Sequence, residues 1–338
     1  MVRGQVYRQW RWLRGVQVLG ILVLLMLTMR VWAAEGEKTV VLALACNEAA
    51  QKDTEFQRFG RMIPLYKQNG IQASLCENRN LLNPGASAEA IYQALKAYHV
   101  VRLQTTTEGF YDLTPQLAAH AKVVGGALAR YVRDGGGLLI QPVAVRYPNS
   151  ADEKYWNLVF EPLGVEILHE GIYDPTRNFE GQAVVKVPFF VTRNIQEHAV
   201  TAGVKTLCLP QAWLTDMPAV VAMKYSTDWK VVVRGEKEAK SYLSGVNNAN
   251  LFDKLGTMGE APPVLAVREM GKGRLVCLPL PTIHTGENYL NPVWGNVFET
   301  EGDKKGGTPS DGMKLVLNCY KWLAAPAQQD PALGTAKV

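Results

Sequence analysis

The segment from Thr114 to Gln141 constrains the fold of this chain most, because it specifies a helix, its end and the strand that follows. Thr114 supplies a capping hydroxyl, and Pro115 stands at the first helical position. Three glycines at 135–137 stop the helix. Residues 138–141 then form the apolar run of a buried strand. A phosphate loop follows a strand and opens a helix, whereas these glycines precede a strand, so we interpret them as a helix stop.

The same alternation of strand and helix fills the region before residue 170. Apolar runs predict strands at residues 39–45, 71–76, 100–104 and 164–168, and helical patterns lie between them. Such repetition requires a parallel sheet with right-handed crossovers. The predicted fold class is therefore α/β, a three-layer parallel sheet flanked by helices.

The pattern changes in the C-terminal half. Extended runs with few helical signals occupy about residues 180–280, including a strand pair around the turn at 271–273. We interpret this β-rich part as an antiparallel extension or edge of the same sheet. A final helix follows near residue 313. The predicted organisation is one α/β domain at 35–325 and a disordered tail at 326–338.

Residues 1–34 have the composition of a secretory signal peptide. Arginines precede an apolar run at 16–29, and small residues follow at 33–34. The apolar core is about 14 residues long, whereas a membrane span needs roughly 20. We therefore expect an exported protein, periplasmic or extracellular. The alternative is an uncleaved segment that anchors the protein to a membrane.

The signal segment also carries the excess positive charge. It holds five of the 36 basic residues and none of the 31 acidic ones, so the remaining chain has 31 of each. A chain with equal numbers of basic and acidic residues gives no electrostatic reason to expect nucleic-acid binding.

The five cysteines do not form a recognised metal or redox motif. Cys46, Cys76, Cys208, Cys277 and Cys319 include no C-x-x-C pair, and four of them lie in predicted strands. We interpret most of them as buried apolar thiols. An odd count leaves at least one thiol free, and the pairing of Cys208 with Cys277 stays open. No cofactor and no metal site are predicted, because His169-Glu170 and His284-x-x-Glu287 have no third ligand at a helical metal spacing.

Three phrases together resemble the class I glutamine amidotransferase-like superfamily, in variants found in secreted bacterial proteins and in domains attached to β-galactosidases. They are the helix and glycine stop at 128–139, the phrase at 197–204 with Ala199 where the family has proline, and residues 267–276. The resemblance spans most of residues 38–325. It implies a flavodoxin-like fold with a Cys nucleophile in a strand-to-helix elbow and a late His-x-Glu stretch.

This chain departs from that pattern where the chemistry would lie. The elbow would fall at residues 142–146 and contains no Cys, and His284 and Glu287 are separated by one residue more than the family's pair. A thioester mechanism needs an activated thiol in the elbow. We therefore expect a domain without amidotransferase activity that has a binding or scaffolding role.

The candidate site is the rim beyond the carboxyl ends of the parallel strands, where open α/β sheets bind ligands. Carboxylates, an arginine and aromatic rings there suit a carbohydrate or another small polar ligand. The predicted ligand-binding residues are Asn47, Glu48, Thr105, Glu108, Tyr111, Arg146, Tyr147 and Trp294. Ordinary solvated loop residues are the alternative interpretation of these positions.

Two other functions remain as alternatives. One is a hydrolase that has moved its chemistry to His284, Glu287 or Glu108, since paired carboxylates can perform glycosidic chemistry. The other is a structural or oligomerising protein.

The phrase around His198 is interpreted as structural, fixing the turn before Val204.

Overall fold

The computed structural model describes twelve ranges of the chain, with gaps between them. They are residues 39–46, 62–77, 81–82, 85–105, 112–142, 150–176, 178–180, 188–214, 217–218, 220–243, 254–280 and 309–336. None of the helices in these ranges is both long and apolar enough to span a bilayer. The predicted signal segment at 1–34 lies outside them.

Strands and helices alternate in the first part of the described chain, as predicted. The strands within the described ranges are β1 (Val40–Cys46), β2 (Ile71–Glu77), β3 (Val100–Gln104), β4 (Gly137–Gln141), β5 (Val165–Tyr173), β6 (Asn178–Glu180), β7 (Pro188–Thr192), β8 (Leu207–Pro210), β9 (Ala212–Leu214), β10 (Met217–Pro218), β11 (Val221–Tyr225), β12 (Lys230–Arg234), β13 (Lys240–Leu243), β14 (Pro263–Met270) and β15 (Gly273–Cys277). The α-helices are α1 (Met62–Gln68), α2 (Ala88–Lys96), α3 (Pro115–Arg133), α4 (Ala151–Phe160) and α5 (Gly312–Ala327). Short 3-10 turns occur at Glu161–Leu163 and Ala199–Thr201.

A seven-stranded sheet forms the middle layer. Its order is β12-β14-β15-β4-β3-β1-β2. The neighbours from β15 to β2 are parallel, whereas β12, β14 and β15 pair antiparallel. The predicted α/β fold class is therefore confirmed. The main sheet is mixed, because strands of the C-terminal half add an antiparallel extension to its parallel part.

Helices cover both faces of this sheet, and strand alternation divides the core between them. Ala43 and Ala45 of β1 pack with residues of α2, α3 and α4. Leu42 and Leu44 face the other way and pack with residues of α1 and α5. Because successive side chains of a strand point to opposite faces, one short apolar strand contributes to both layers of core.

The end of α3 confirms the interpretation of the three glycines. Thr114 accepts a hydrogen bond from the N–H of Leu117 at the start of the helix, at 3.2 Å. Gly135, after the last turn, has φ +123°, a conformation that a side chain rarely adopts. A Cβ on Gly137 would lie 2.7 Å from the carbonyl oxygen of Leu323, so glycine at this position lets α5 pack closely on β4.

The β-rich part only partly extends the main sheet. β12, β14 and β15 join it, but β5, β11 and β13 form a separate three-stranded antiparallel sheet. Two further small sheets contain β6-β7-β8 and β9-β10. The strand predicted at 164–168 as part of the parallel sheet is thus the centre of another sheet. Its apolar pattern marks burial and does not specify the pairing partner.

The C-terminal tail differs from the prediction of disorder at 326–338. Helix α5 continues to Ala327, and Leu333 is buried. The backbone N–H of Gly334 donates to the carbonyl oxygen of Lys96, and that of Ala336 donates to Ala97. One apolar side chain and these backbone hydrogen bonds hold the described part of the tail on the end of α2.

Candidate functional site

The carboxyl ends of four neighbouring parallel strands meet at one edge of the main sheet. β1, β3, β4 and β15 end there at Cys46, Gln104, Gln141 and Cys277. The segments that follow these strands carry the residues predicted to bind a ligand. Strand order therefore gives this edge the position at which α/β sheets bind ligands.

Most of the predicted site residues lie outside the described part of the chain. This holds for Asn47, Glu48, Glu108, Tyr111, Arg146, Tyr147, His284, Glu287 and Trp294. Thr105 is described and is buried, with its backbone N–H donating to the carbonyl oxygen of Gln141 at 3.0 Å. Thr105 thus belongs to the interior of the edge, and its placement ties β3 to β4.

A buried arginine lies behind this edge. Arg102 of β3 has 2% of its surface exposed. Its Nε donates to Oε1 of Gln141 at 2.5 Å. Its Nη1 donates to the hydroxyl of Tyr320 at 2.6 Å and to that of Tyr66 at 3.1 Å. A guanidinium offers five N–H donors in a fixed plane, so one side chain can bond three separate elements.

Gln141 extends this hydrogen-bond network to the chain just beyond β15. Its Nε2 donates to the carbonyl oxygen of Leu280, just beyond β15, at 2.9 Å. Gln104, which pairs with Gln141 across β3 and β4, is buried as well. A layer of buried polar groups thus fixes the ends of β3, β4 and β15 relative to one another.

Sequence reasoning did not select Arg102 or Gln141 as site residues. A signal was present, because an arginine inside the apolar run at 100–104 is rarely buried without partners. The partners could not be read from the sequence, since Tyr320 lies 218 residues from Arg102.

Two of the described thiols, those of Cys277 and Cys319, are not activated nucleophiles. Cys208 and Cys277 are not joined by a disulfide, so the pairing left open by the sequence is not made. Burial raises the pKa of the Cys277 thiol to about 12. Burial also raises the pKa of Cys319, although the nearby Arg102 guanidinium opposes this. A nucleophilic cysteine needs a lowered pKa and access to substrate, and these two have neither.

His198 has the structural role expected from the sequence. Its Nδ1 accepts a hydrogen bond from the N–H of Val200 at 3.2 Å, capping the 3-10 turn, and its ring packs edge-on against Trp322. Burial lowers the pKa of His198, with a further lowering from Lys230. The neutral imidazole is the form that can accept this bond.

Within the described ranges, no group of three or more His, Cys, Asp or Glu side chains is arranged to hold a metal ion.

Comparisons with known proteins give structural similarities of low identity. No protein-family model matches the sequence, and no curated protein matches it. A cytoplasmic protein from Salmonella typhimurium is 13% identical, with TM-score 0.40, covering 84% of this chain and 98% of that one. A ThuA-like protein from Parabacteroides merdae is 13% identical, with TM-score 0.41, covering 89% of this chain and 93% of that one.

A third similarity involves part of a larger enzyme. The β-galactosidase from Bacillus circulans sp. alkalophilus is 9% identical, with TM-score 0.36, and the match covers 89% of this chain and 32% of the enzyme. The α/β fold class of the chain follows from its own strand order and layers, and these matches add no argument about its activity.

Proposed function

We propose that the protein is an exported glutamine amidotransferase-like domain that binds a small polar ligand without catalysing thiol chemistry. The binding site is the carboxyl edge of β1, β3, β4 and β15. Carbohydrate is the first choice of ligand, and it rests on the family resemblance of the sequence alone.

The observation that carries this proposal is the convergence of the four strand ends over a fixed polar layer. Hydrogen bonds of Arg102 and Gln141 link β3, β4, the chain beyond β15 and two helices. A rigid support of this kind reduces the conformational entropy that is lost when a ligand binds at the edge. It favours a preformed binding site at that edge.

The state of the thiols supports a binding role over amidotransferase chemistry. The sequence has no Cys at residues 142–146, and the pKa of Cys277, on the strand next to β4, is raised to about 12 by burial. Neither position supplies the thiolate that a thioester mechanism requires.

A glycan and metabolite screen followed by calorimetric titration tests the proposal. The protein should bind a polar ligand, and a triple variant with Glu108→Ala, Arg146→Ala and His284→Ala should lose that binding. Circular dichroism should show that the fold is kept. A matched triple variant of exposed residues elsewhere, Lys122→Ala, Glu238→Ala and Lys272→Ala, should bind as the wild type does.

Unchanged affinity in the first triple variant would remove the edge as the binding site. Turnover of chromogenic ester, amide or glycoside substrates that is lost in His284→Ala would favour hydrolysis over ligand binding as the function.

Export has a separate test. Amino-terminal sequencing of protein from the periplasm or medium should find a start near residue 35, and an intact Met1 start in the cytoplasm would contradict it.

A further inference from the structure

The two outermost strands of the main sheet differ in how their outer sides are protected. β12 carries a basic residue at each end, and its pairing with β14 is irregular at two places. Residues 194–196 also bond to its backbone. The N–H of Gln196 donates to the carbonyl oxygen of Val232 at 2.8 Å, and that of Arg234 donates to the carbonyl oxygen of Asn194 at 3.0 Å. Charge, irregular pairing and a covering segment are the features that keep a sheet edge from pairing with another chain.

β2, the outermost strand at the opposite end of the sheet, lacks this protection in the described part of the chain. Residues 71–76 contain no charge and no proline, and β2 pairs with β1 in one unbroken parallel register. The N–H of Val40 in β1 donates to the carbonyl oxygen of Gly70 at 2.8 Å. Because backbone groups alternate in direction along a strand, Ile71, Ala73 and Leu75 then direct their N–H and C=O groups away from β1.

These outward backbone groups are placed to bond a further strand. Within the ranges that the structure describes, β2 pairs only with β1, and no other hydrogen bond reaches the backbone of Ile71, Ala73 or Leu75. Ala73 and Leu75, together with Ile63 of α1, pack on the core but are only half-buried. A regular, uncharged strand with unbonded backbone groups and partly exposed apolar side chains is a template for strand addition.

The residue order of β2 matches an antiparallel copy of itself. With Ala73 on a two-fold axis, Ile71 lies opposite Leu75 of the second copy, and Gln72 lies opposite Ser74 of that copy. Apolar side chains then meet apolar ones on one face, and an amide meets a hydroxyl on the other, with no like charges opposed. A two-fold interface uses the same patch on both partners, so this match of the strand with itself favours a second copy over an unrelated peptide.

We propose that two copies of this chain associate through β2, which pairs antiparallel with β2 of the second copy about Ala73. The pairing joins the two seven-stranded sheets into one continuous sheet. Each outward residue exchanges an N–H and a C=O bond with the residue opposite, so backbone groups that water would otherwise solvate are bonded between the copies. The interface shares no residue with the strand-end edge, and it therefore does not depend on the function proposed above.

Sedimentation equilibrium of the purified protein, combined with amide hydrogen exchange, tests the association. The protein should sediment as a dimer at high micromolar concentration. The amides of Ile71, Ala73 and Leu75 should exchange more slowly in concentrated than in dilute protein, because only the dimer bonds them. The amide of Gln72 faces β1 and is the internal control, so its exchange should not depend on concentration.

Two double variants test the register of the pairing. Gln72→Lys with Ser74→Lys places like charges directly opposite each other and should raise the dissociation constant of the dimer by at least about tenfold. Gln72→Lys with Ser74→Glu is the matched control, because it places opposite charges at the same positions and should dimerise at least as tightly as the wild type. Ala73→Pro removes an outward N–H that the single copy does not use, so it should dissociate the dimer while circular dichroism shows the fold is kept.

Three results would overturn the proposal. The first is a wild-type protein that stays monomeric at high micromolar concentration. The second is a dimer that survives both Ala73→Pro and the first double variant, since its interface would then lie elsewhere. The third is equal weakening by the two double variants, which would exclude antiparallel pairing about Ala73. The double variants change one exposed and one half-buried side chain, so they keep the test decisive even if Ala73→Pro does not fold.

Discussion

The parallel sheet and the separate antiparallel sheet each bury a charged side chain in a central strand, with opposite sign. In β3 the guanidinium of Arg102 donates to Gln141, Tyr66 and Tyr320. In β5 the carboxylate of Glu170 accepts from the hydroxyl of Ser241 at 2.5 Å and from the N–H of Thr257 at 2.9 and 3.0 Å.

The difference lies in what each charge holds together. The partners of Arg102 come from α1, β4 and α5, so this residue joins segments from nearly the whole chain. The partners of Glu170 come from β13 and one adjacent loop, so it fixes a local turn over one sheet. A buried charge stabilises a fold only through its partners, and loss of Arg102 should therefore affect global stability more than loss of Glu170.

The largest effect is expected for Arg102→Met. Methionine keeps much of the volume but removes the donors to three buried oxygens, and we expect the free energy of unfolding in urea to fall by about 3–5 kcal/mol. The control is Arg193→Met at an exposed position, which should change stability by less than about 0.5 kcal/mol. A loss below about 1 kcal/mol for Arg102→Met would show that the network is not a main support of the parallel sheet.

Glu170→Gln should have a smaller and more local effect. The amide oxygen can take the place of Oε2, which accepts from both Ser241 and Thr257. The NH2 group then faces the N–H of Thr257 where Oε1 accepted from it, and this buried donor has no acceptor, so a loss of about 2–3 kcal/mol is expected. Amide hydrogen exchange should accelerate at Thr257 and Met258 before it does in β3. Glu166→Gln, on the same strand but exposed, is the matched control. Equal acceleration throughout the protein would mean that Glu170 is as global in its effect as Arg102.

Two adjacent glycines of α3 test how closely the helices of the parallel half pack. A Cβ on Gly125 would lie 2.5 Å from the carbonyl oxygen of Val159 in α4, whereas a Cβ on Gly126 meets nothing within 4 Å. Gly125→Ala should lower stability by about 1–3 kcal/mol because the helices must separate. Gly126→Ala should raise it by about 0.5–1 kcal/mol because alanine favours the helix. Thermal unfolding of the two variants should move in opposite directions, and a shared direction would contradict the close contact.

The smallest expected effect is a pH dependence from His198. The pKa of His198 in the fold is below its ordinary value of 6.5, first because of burial and then because of Lys230. Its contribution to stability is thus complete above about pH 6.5 and is lost as the pH falls below that value. Asparagine can still accept from Val200, so His198→Asn should reduce the loss of stability measured between neutral and acidic pH. An identical pH profile in the variant would exclude this turn as a source of acid sensitivity.

The sequence predicts the elements of the parallel half closely, because their signals are local. The runs at 71–76 and 100–104 become β2 and β3, and the helix that begins after Thr114 becomes α3. Capping hydroxyls, proline and glycine act within a few residues, so one segment suffices to read them. The pair of strands around residues 271–273 is likewise found, as β14 and β15.

The candidate sites were less accessible to sequence reasoning. The strand-end edge could be placed from the strand order that the α/β pattern implies, but the Arg102 network could not, since its donors and acceptors are distant in the chain. The sequence also did not predict that the side chains of Glu153 and His169 lie close together. One lies on α4 and the other on β5, and only the packing of that helix on that strand brings their side chains to 3.5 Å.

Apolar runs, helix caps and glycines in the sequence determined where strands and helices begin and end, and thereby the α/β class. The tertiary structure alone decided that β5 is central to a second sheet, that β15 lies beside β4, and which oxygens accept hydrogen bonds from Arg102. The physical reason is that a helix satisfies its backbone with residues four positions away, whereas a strand or a buried charge takes its partners from any part of the chain.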